Sequence, residues 1–372
     1  MHVAIVGAGM AGLSAGTALV AAGHQVAIFD KGRGAGGRMA TRRVQTPRGL
    51  AQFDHGAQYF TVRDPAFAAC VSGWVDAGLA ARWPAAGEDA WVGTPTMNAP
   101  AKAMAAALNV EWTTRVDAVE ASGAGWVLRT DESAGVSYDV VIIALPAEQA
   151  AVLLEPIDGV LARLAAATVS APCWTVMATF GQPVAHRSDV LSASDGPIGW
   201  AARNSSKPGR LGPEAWVIHG TPEWSIAHLE DNADDVERAL LTSFAHCIGT
   251  VPEVEFSVAH RWRYARSGAA GGGFRWNAAS RLGLCGDWLL GARDLIPFAV
   301  FFPDTQQPDT WVGLPKEIFA ILIPHDGELG QMLSRTVHIR PYIQHDRRTG
   351  QSGQACRDRR ALDTLRQPEH KE

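Results

Sequence analysis

Val3 to Val6 form a short unbroken apolar run, and after Gly7-Ala-Gly9-Met-Ala-Gly12 the apolar positions Leu13, Ala15, Ala18, Leu19 and Ala22 recur at helical spacing until Gly23-His24. The pattern predicts a buried strand, a glycine turn and a helix, in that order. Gln25-Val-Ala-Ile-Phe-Asp30 supplies a second strand, so a βαβ unit opens the chain. A glycine- and arginine-rich loop covers 32–43, and the pattern is mixed through 66–97, where Trp74, Trp83 and Trp91 fall. A helical run from Pro100 to Leu108 leads into strands around 110–119 and 125–130. Tyr138 to Pro146 reads as a buried strand ending in a sharp turn, with an alanine-rich helix behind it. From 168 to 265 β-branched and aromatic residues dominate, broken by turn clusters such as Asn204 to Gly209 and by one helix from about Ala233 to Cys247. This predicts a second, sheet-rich domain. Arg281 to Asp287 returns to the strand-then-glycine style of the beginning, which makes the first domain discontinuous.

The opening motif takes its meaning from its surroundings. GxGxxG sits between a strand and a helix, and Asp30 stands eighteen positions past Gly12, which is the layout of a Rossmann-type dinucleotide fold. Gly7 permits the tight turn, Gly9 admits a pyrophosphate to the helix N-terminus, and Gly12 lets helix and strand pack closely. Asp30 can accept hydrogen bonds from a ribose diol, and Lys31 beside it is counted with the cofactor-binding residues. NAD and FAD share this layout. The second cluster, Gly36-Gly37-Arg38-Met39-Ala40-Thr41, points to the longer cofactor. Its arginine can reach back to a pyrophosphate, and its glycines let main chain lie against an extended ligand.

Composition narrows the partners. With 372 residues, 47% of them hydrophobic, the chain can bury a large core or two domains. A net charge of -5 gives no electrostatic case for nucleic acid or anionic membrane, so a small-molecule partner is expected. Five cysteines without CxxC spacing argue against a disulfide framework and structural zinc, and with no HExxH present no metal is predicted. No leader-like start and no apolar run of about 18 residues is found, so the expected location is the cytoplasm, without a membrane anchor.

Three stretches carry a family resemblance: Gly7 to Gly12 with Asp30, GRGAGGRMATRR over 32–43, and FDHGAQYFTVRD over 53–64. Together they resemble the flavin amine oxidase superfamily. IGWAARNSSKPGR (198–210), WVIHGTPEWS (216–225) and HRWRYA (260–265) are similar to the bacterial renalase-like FAD-dependent oxidoreductases within it. The resemblance runs from residue 1 to about 293. It implies an α/β fold of the p-hydroxybenzoate hydroxylase type. An FAD-binding domain would come from 1–65, 98–148 and 276–293, and a β-rich substrate domain from 66–97 and 149–275. It further implies that FAD is held non-covalently by Gly7, Gly9, Gly12, Asp30, Lys31, Gly37 and Arg38. Gln58 would lie near the flavin, and Gly286 with Asp287 at the ribityl or pyrophosphate side. The implied reaction takes hydride from a dihydronicotinamide dinucleotide reduced at an unusual ring carbon and passes electrons to molecular oxygen, giving NAD(P)+ and hydrogen peroxide. An amine oxidase, with an aromatic cage around a neutral amine, is the alternative.

No side chain stands out as a general base, and a dihydropyridine needs none, because its own ring supplies the electron push. Thirteen tryptophans against four tyrosines make the aromatic supply unusual. Trp200, Trp224, Trp262, Trp276 and Trp288 fall in or beside the motifs, each readable as a flavin-lining ring or as plain core. His260, Arg261 and Arg263 are the best polar candidates for substrate phosphate or flavin, and equally suit a solvated strand edge. His55 and His219 divide the same way between ligand contact and structure. Cys285, next to Gly286, could carry a covalent flavin but reads as a small buried strand residue.

After Arg293 the character changes. Pro297, Pro303, Pro308, Pro315 and Pro324 prevent an uninterrupted helix, alanine becomes scarce, and the text turns Gln-, Arg- and Asp-rich. In the superfamily the Gly-Asp pair leads into a helix whose N-terminus serves the flavin. Residues 294–372 therefore read as an atypical tail from a shifted frame or rearrangement, or as a genuine extension. A cofactor-poor remnant is the corresponding third reading of function.

Overall fold

Period-two alternation organises the first sheet. The computed structural model describes residues 1–63, 65–123, 125–131, 135–193, 196–290 and 338–339. The sheet runs Phe274–Asn277, Leu282–Cys285, Val140–Ile143, His2–Val6, Gln25–Asp30, Val110–Trp112. All its neighbours are parallel except the first pair, which is antiparallel. Val3, Ile5, Ile28, Val140 and Ile142 face one way, onto Leu13, Ala15 and Leu19 of helix Met10–Ala21. Ala4, Val6, Phe29, Val141 and Ile143 face the other way, onto a small sheet (Val116–Ser122, Gly125–Thr130, Ser137–Tyr138) and helices Ala147–Leu154 and Gly159–Ala166. Both faces are covered, which is why these strands read as unbroken apolar runs. The apolar residues of helix Pro65–Asp76, including Phe67, Val71 and Trp74, join the first of these two cores.

The second sheet is antiparallel, in the order Val190–Ser192, Ile198–Arg203, Ala215–Gly220, Ala171–Phe180, Val254–Arg266. Trp174, Val176, Ala178 and Phe180 pack against Val236, Leu240 and Phe244 of helix Ala233–Ile248. Two core rings make direct contacts there: Trp216 and Phe180 lie 5.1 and 6.1 Å from Phe244. The opposite face carries Met177, Ala215 and Val217, and these pack on Ala51 and Phe53 of the hairpin Thr41–Thr46 and Gly49–Asp54. That hairpin forms a two-stranded sheet of its own. Its start lies inside the stretch expected to be loop (32–43), where the structure has one short turn, Gly37–Met39, and then strand from Thr41. Tail residues 294–372 lie outside the described residues, apart from a two-residue strand, His338–Ile339, paired with Phe60–Thr61.

Candidate active site

A cavity of about 960 Å³ extends from the glycine loops of the first sheet to the second sheet. At one end Gly7, Gly9, Asp30, Lys31, Gly37, Arg38, Gly286 and Asp287 line it. Helix Met10–Ala21 begins here with no acidic residue in its first turn, so its amide groups present uncompensated positive charge. The glycines serve different ends. A side chain at Gly9 would enter open space, so this backbone stands bare toward the cavity. At Gly12 a Cβ would lie 1.9 Å from the Gly7 carbonyl oxygen, so that glycine serves packing. Gly37, at φ +51°, lies against Gly9, and thus the second glycine cluster closes on the first.

The charged groups of this end are tied together. Arg38 donates to Asp287 in a two-pronged pair at 2.6 and 2.7 Å and to Ser267 Oγ at 3.0 Å. Burial opposes ionisation of both, yet each charge holds the other: Asp287 stays below the usual carboxylate range and Arg38 above its own. Asp30 accepts from the amides of Ala8 and Gly32, both at 2.6 Å, which fixes the carboxylate at the strand end.

The other end is a sheet wall. Along strand Ala171–Phe180 the cavity side changes from Met177 to Thr175 to Cys173, and the cross-strand register sets His219 and His260 on either side of Thr175 and Trp262 beside Cys173. The apolar contact with the hairpin thus gives way, within one strand repeat, to a polar and aromatic surface. The His55 carbonyl accepts from Trp262 Nε1 at 2.9 Å and from His219 Nε2 at 3.2 Å, so one backbone oxygen aligns both rings. The His55 ring lies 5.0 Å from those of His260 and Trp262. Burial pushes His219 down to about 3 and His55 to about 4, and it lowers His260 as well, with Arg42 adding to the effect. Burial raises the Cys173 thiol to about 12. At neutral pH the row of His219, His55, His260 and Cys173 carries no charge.

Alternation also separates the polar candidates of Val254–Arg266. Trp262 turns inward with its indole on the His55 carbonyl, whereas Arg261 and Arg263 pair with Glu230 at 2.6–2.9 Å. Both arginines border the cavity, but their guanidinium groups are engaged away from the histidine row. Of the five tryptophans singled out, Trp262 alone is among the lining residues. Trp288 is fully buried, donates to the Leu145 carbonyl at 3.0 Å and belongs to the core beneath the parallel sheet. Trp224 stacks on His228 at 4.3 Å. Cys285 is fully buried in core, with its thiol raised by burial to about 12. No cluster of three or more metal-ligating side chains occurs among the described residues.

Gln58 does not line the cavity; it belongs to a buried network that sequence reasoning missed. Asp54 accepts from Thr41 Oγ1 at 2.6 Å, Lys207 Nζ at 3.2 Å and Arg210 Nη2 at 2.5 Å. These three ionic side chains are at most 1% exposed. Lys207 also donates to Gln58 Oε1 at 3.1 Å, and Arg210 donates to the carbonyls of Gly93 and Pro208. Lys207 and Arg210 stand inside a stretch, SKPGR, whose Pro-Gly pair reads as a surface turn. Nothing in the local pattern distinguishes a buried lysine there from a solvated one.

The family described as NAD(P)-binding Rossmann-like domain matches residues 5–72, and that of flavin containing amine oxidoreductase matches residues 75–282, more than half of the chain. The protein belongs to the flavin-containing amine oxidoreductase family. An L-amino acid oxidase from Bothriechis schlegelii is 57% identical over 42 residues, which are 11% of this chain and 8% of that protein. The chain therefore matches less than a tenth of the length of that curated relative. A putrescine oxidase solved with putrescine bound shares the fold at TM-score 0.56 and 15% identity, covering 77% of this chain and 93% of its own. Cyclohexylamine oxidase from Brevibacterium oxydans does so at 0.55 and 13%, with the same coverages. At these identities the likeness is one of fold: a Rossmann-like domain with mixed α/β content. Membership in the family implies a flavin, and the bare Gly9 backbone, the open helix N-terminus and the Arg38 guanidinium suit its phosphates.

One substitution tests how the wall is held. Trp262→Phe keeps a ring on the wall but removes its hydrogen bond to the His55 carbonyl, which retains His219. The expected loss is about 0.5–1.5 kcal/mol in urea denaturation. A loss above roughly 3 kcal/mol would mean the indole also carries the packing of the wall.

Proposed function

We propose that the protein is an FAD-dependent oxidase of the renalase-like type, in the two-domain arrangement of p-hydroxybenzoate hydroxylase. Its first unit (1–65, 98–148, 276–293) holds FAD non-covalently through Gly7, Gly9, Gly12, Asp30, Lys31, Gly37, Arg38, Gly286 and Asp287, with Gln58 supporting from behind. Residues 66–97 and 149–275 form the substrate side. The substrate is a dihydronicotinamide dinucleotide reduced at an unusual ring carbon. With one proton and molecular oxygen it gives NAD(P)+ and hydrogen peroxide. The flavin, when bound, supplies the two-electron acceptor.

The observation that carries this reading is the uncharged row of histidine and tryptophan rings on the wall. The lining carboxylates Asp30, Asp117 and Asp287 all belong to the first unit, while the wall offers His219, Thr175, His260, Trp262 and Cys173. A planar, electron-rich dihydropyridine needs a flat surface and exclusion of water, which rings supply without acid-base help. Trp262 and His260 would orient the ring, and Arg261 and Arg263 at the border would meet the dinucleotide phosphates. Core placement of Cys285 supports non-covalent binding. Cys173 and Cys285, both buried and outside any disulfide, support a reducing, cytoplasmic setting. No described helix is long and apolar enough to cross a membrane.

Anaerobic mixing tests the substrate. Rapid bleaching of the visible flavin bands by dihydronicotinamide isomers, and none by putrescine or cyclohexylamine, is expected. The reverse result would replace this reading with an amine oxidase, with which the family description is equally consistent. A purified protein that stays colourless after incubation with FAD would favour the cofactor-poor remnant.

A pH profile gives a second check. The pKa values of His55, His219 and His260 all lie below the ordinary histidine value of about 6.5, so these rings stay neutral on its alkaline side. We expect kcat/KM to be flat between about pH 6.5 and 7.5. A rising limb centred near 6.5 would show that an ordinary histidine titrates in the site.

A further inference from the structure

Between hairpin strand Gly49–Asp54 and strand Phe60–Thr61 the chain turns through Asp54-His55-Gly56-Ala57-Gln58, and its middle residues form the seam between the two ends of the cavity. Gly56 and Ala57 line that cavity, the Ala57 amide donates to the Arg38 carbonyl at 2.8 Å, and the His55 carbonyl holds Trp262 and His219. Space at the seam is tight. A Cβ on Gly56 would fall 2.0 Å from the Arg38 carbonyl oxygen and 3.3 Å from the Trp262 ring. A shift of the loop would therefore move the cofactor loop and the wall together.

Both ends of the loop meet at one side chain. Lys207 Nζ donates to Asp54 Oδ2 at 3.2 Å and to Gln58 Oε1 at 3.1 Å, while Gln58 Nε2 donates back to the carbonyls of Asp54 and Gly56. We propose that Lys207 is a positioning residue, a staple across Asp54 and Gln58 that sets the backbone of His55, Gly56 and Ala57 on the cavity wall. The inference holds whichever substrate the site takes.

The charges facing Lys207 give the staple a distinctive signature. Asp54 attracts it, Arg210 from its own loop repels it, the Trp83 ring lies 5.1 Å from its nitrogen, and His219 on the neighbouring strand feels its charge. Asp54 and Arg210 already balance one to one, so an ammonium leaves the buried cluster with one excess positive charge. A neutral amine has two N–H donors, enough for both acceptors. Burial lowers Lys207 to about 8 despite Asp54. An opening of the loop that exposed the amine would restore its ordinary value of about 10.4. Between those values the opened form binds more protons than the closed one, so the closed loop gains stability as pH rises through that window.

Hydrogen exchange on the full-length protein, corrected for the intrinsic pH dependence of the chemistry, reads this directly. In the wild-type chain the protection of amides 55–58 should rise about 25-fold between pH 7 and 9.5, while strand His2–Val6 stays constant. Lys207→Met should show no such rise and should fall below wild type at pH 9.5. Gln58→Leu cuts the staple at its other end and should lower the same amides, which keeps the test open should the lysine variant not fold. A flat wild-type profile, a rise that persists in Lys207→Met, or a loss of protection spread evenly over the chain in either variant would overturn the proposal.

Discussion

Asp54→Ala should lower the unfolding free energy by about 3–5 kcal/mol, a loss as large as that of truncating a buried aromatic ring. Among the described residues Asp54 is the only anion bonded to Lys207 and Arg210, and all three are buried. Burial alone would raise its carboxyl, but the two cations hold it far below the ordinary range. Lys207 can shed its proton when the anion is lost; Arg210 cannot. The variant would keep a buried guanidinium satisfied only by the Gly93 and Pro208 carbonyls. Urea denaturation at neutral pH measures the loss, and a change below about 1 kcal/mol would show that water reaches the cluster. The sign of the pH dependence follows from the depressed carboxyl. Its contribution is complete above the unfolded-state value of about 3.9 and fades as pH falls below it, so wild type and variant should converge in acid.

Gly9→Val should leave the fold intact and remove the flavin. Gly9 has extended backbone angles, φ -72° and ψ -179°, and its missing side chain would meet nothing within 4 Å, so no strain is added. If that open space belongs to the cofactor, branched carbons in it would weaken binding roughly 100-fold, about 3 kcal/mol of overpacking. The measurement is visible absorbance after incubation with FAD and gel filtration, beside the thermal midpoint of the same sample. Gly12→Ala is the contrast, because its methyl group would stand 1.9 Å from the Gly7 carbonyl oxygen and force the turn apart. That variant should lose both stability and flavin. Retention of flavin by Gly9→Val at wild-type strength would move the cofactor phosphates away from this turn.

What could be read before folding was local. Strand His2–Val6, the glycine turn, helix Met10–Ala21 and Asp30 lie within one βαβ unit, where spacing alone sets which side chain does what. The separation of His260 and Trp262 from Arg261 and Arg263 was legible too, since neighbours in a strand face opposite ways. Grouping His260 with Arg261 and Arg263 as polar candidates ignored that period.

The wall and the staple depended on pairings distant in the chain. His219, Thr175 and His260 form a row because three strands meet in one register, and a one-residue slip would have turned them toward helix Ala233–Ile248. Trp288 adjoins a cofactor motif, but tertiary packing buried it on the far side of the parallel sheet. Lys207 and Asp54 stand 153 residues apart, and Pro-Gly beside the lysine signals a turn whether or not anything covers it. Residue type and spacing by themselves determined the βαβ unit and its glycine turn. Only the folded chain decided which lysine loses its water and which rings meet across the cavity, because desolvation and cross-strand register are properties of the whole packing rather than of any one segment.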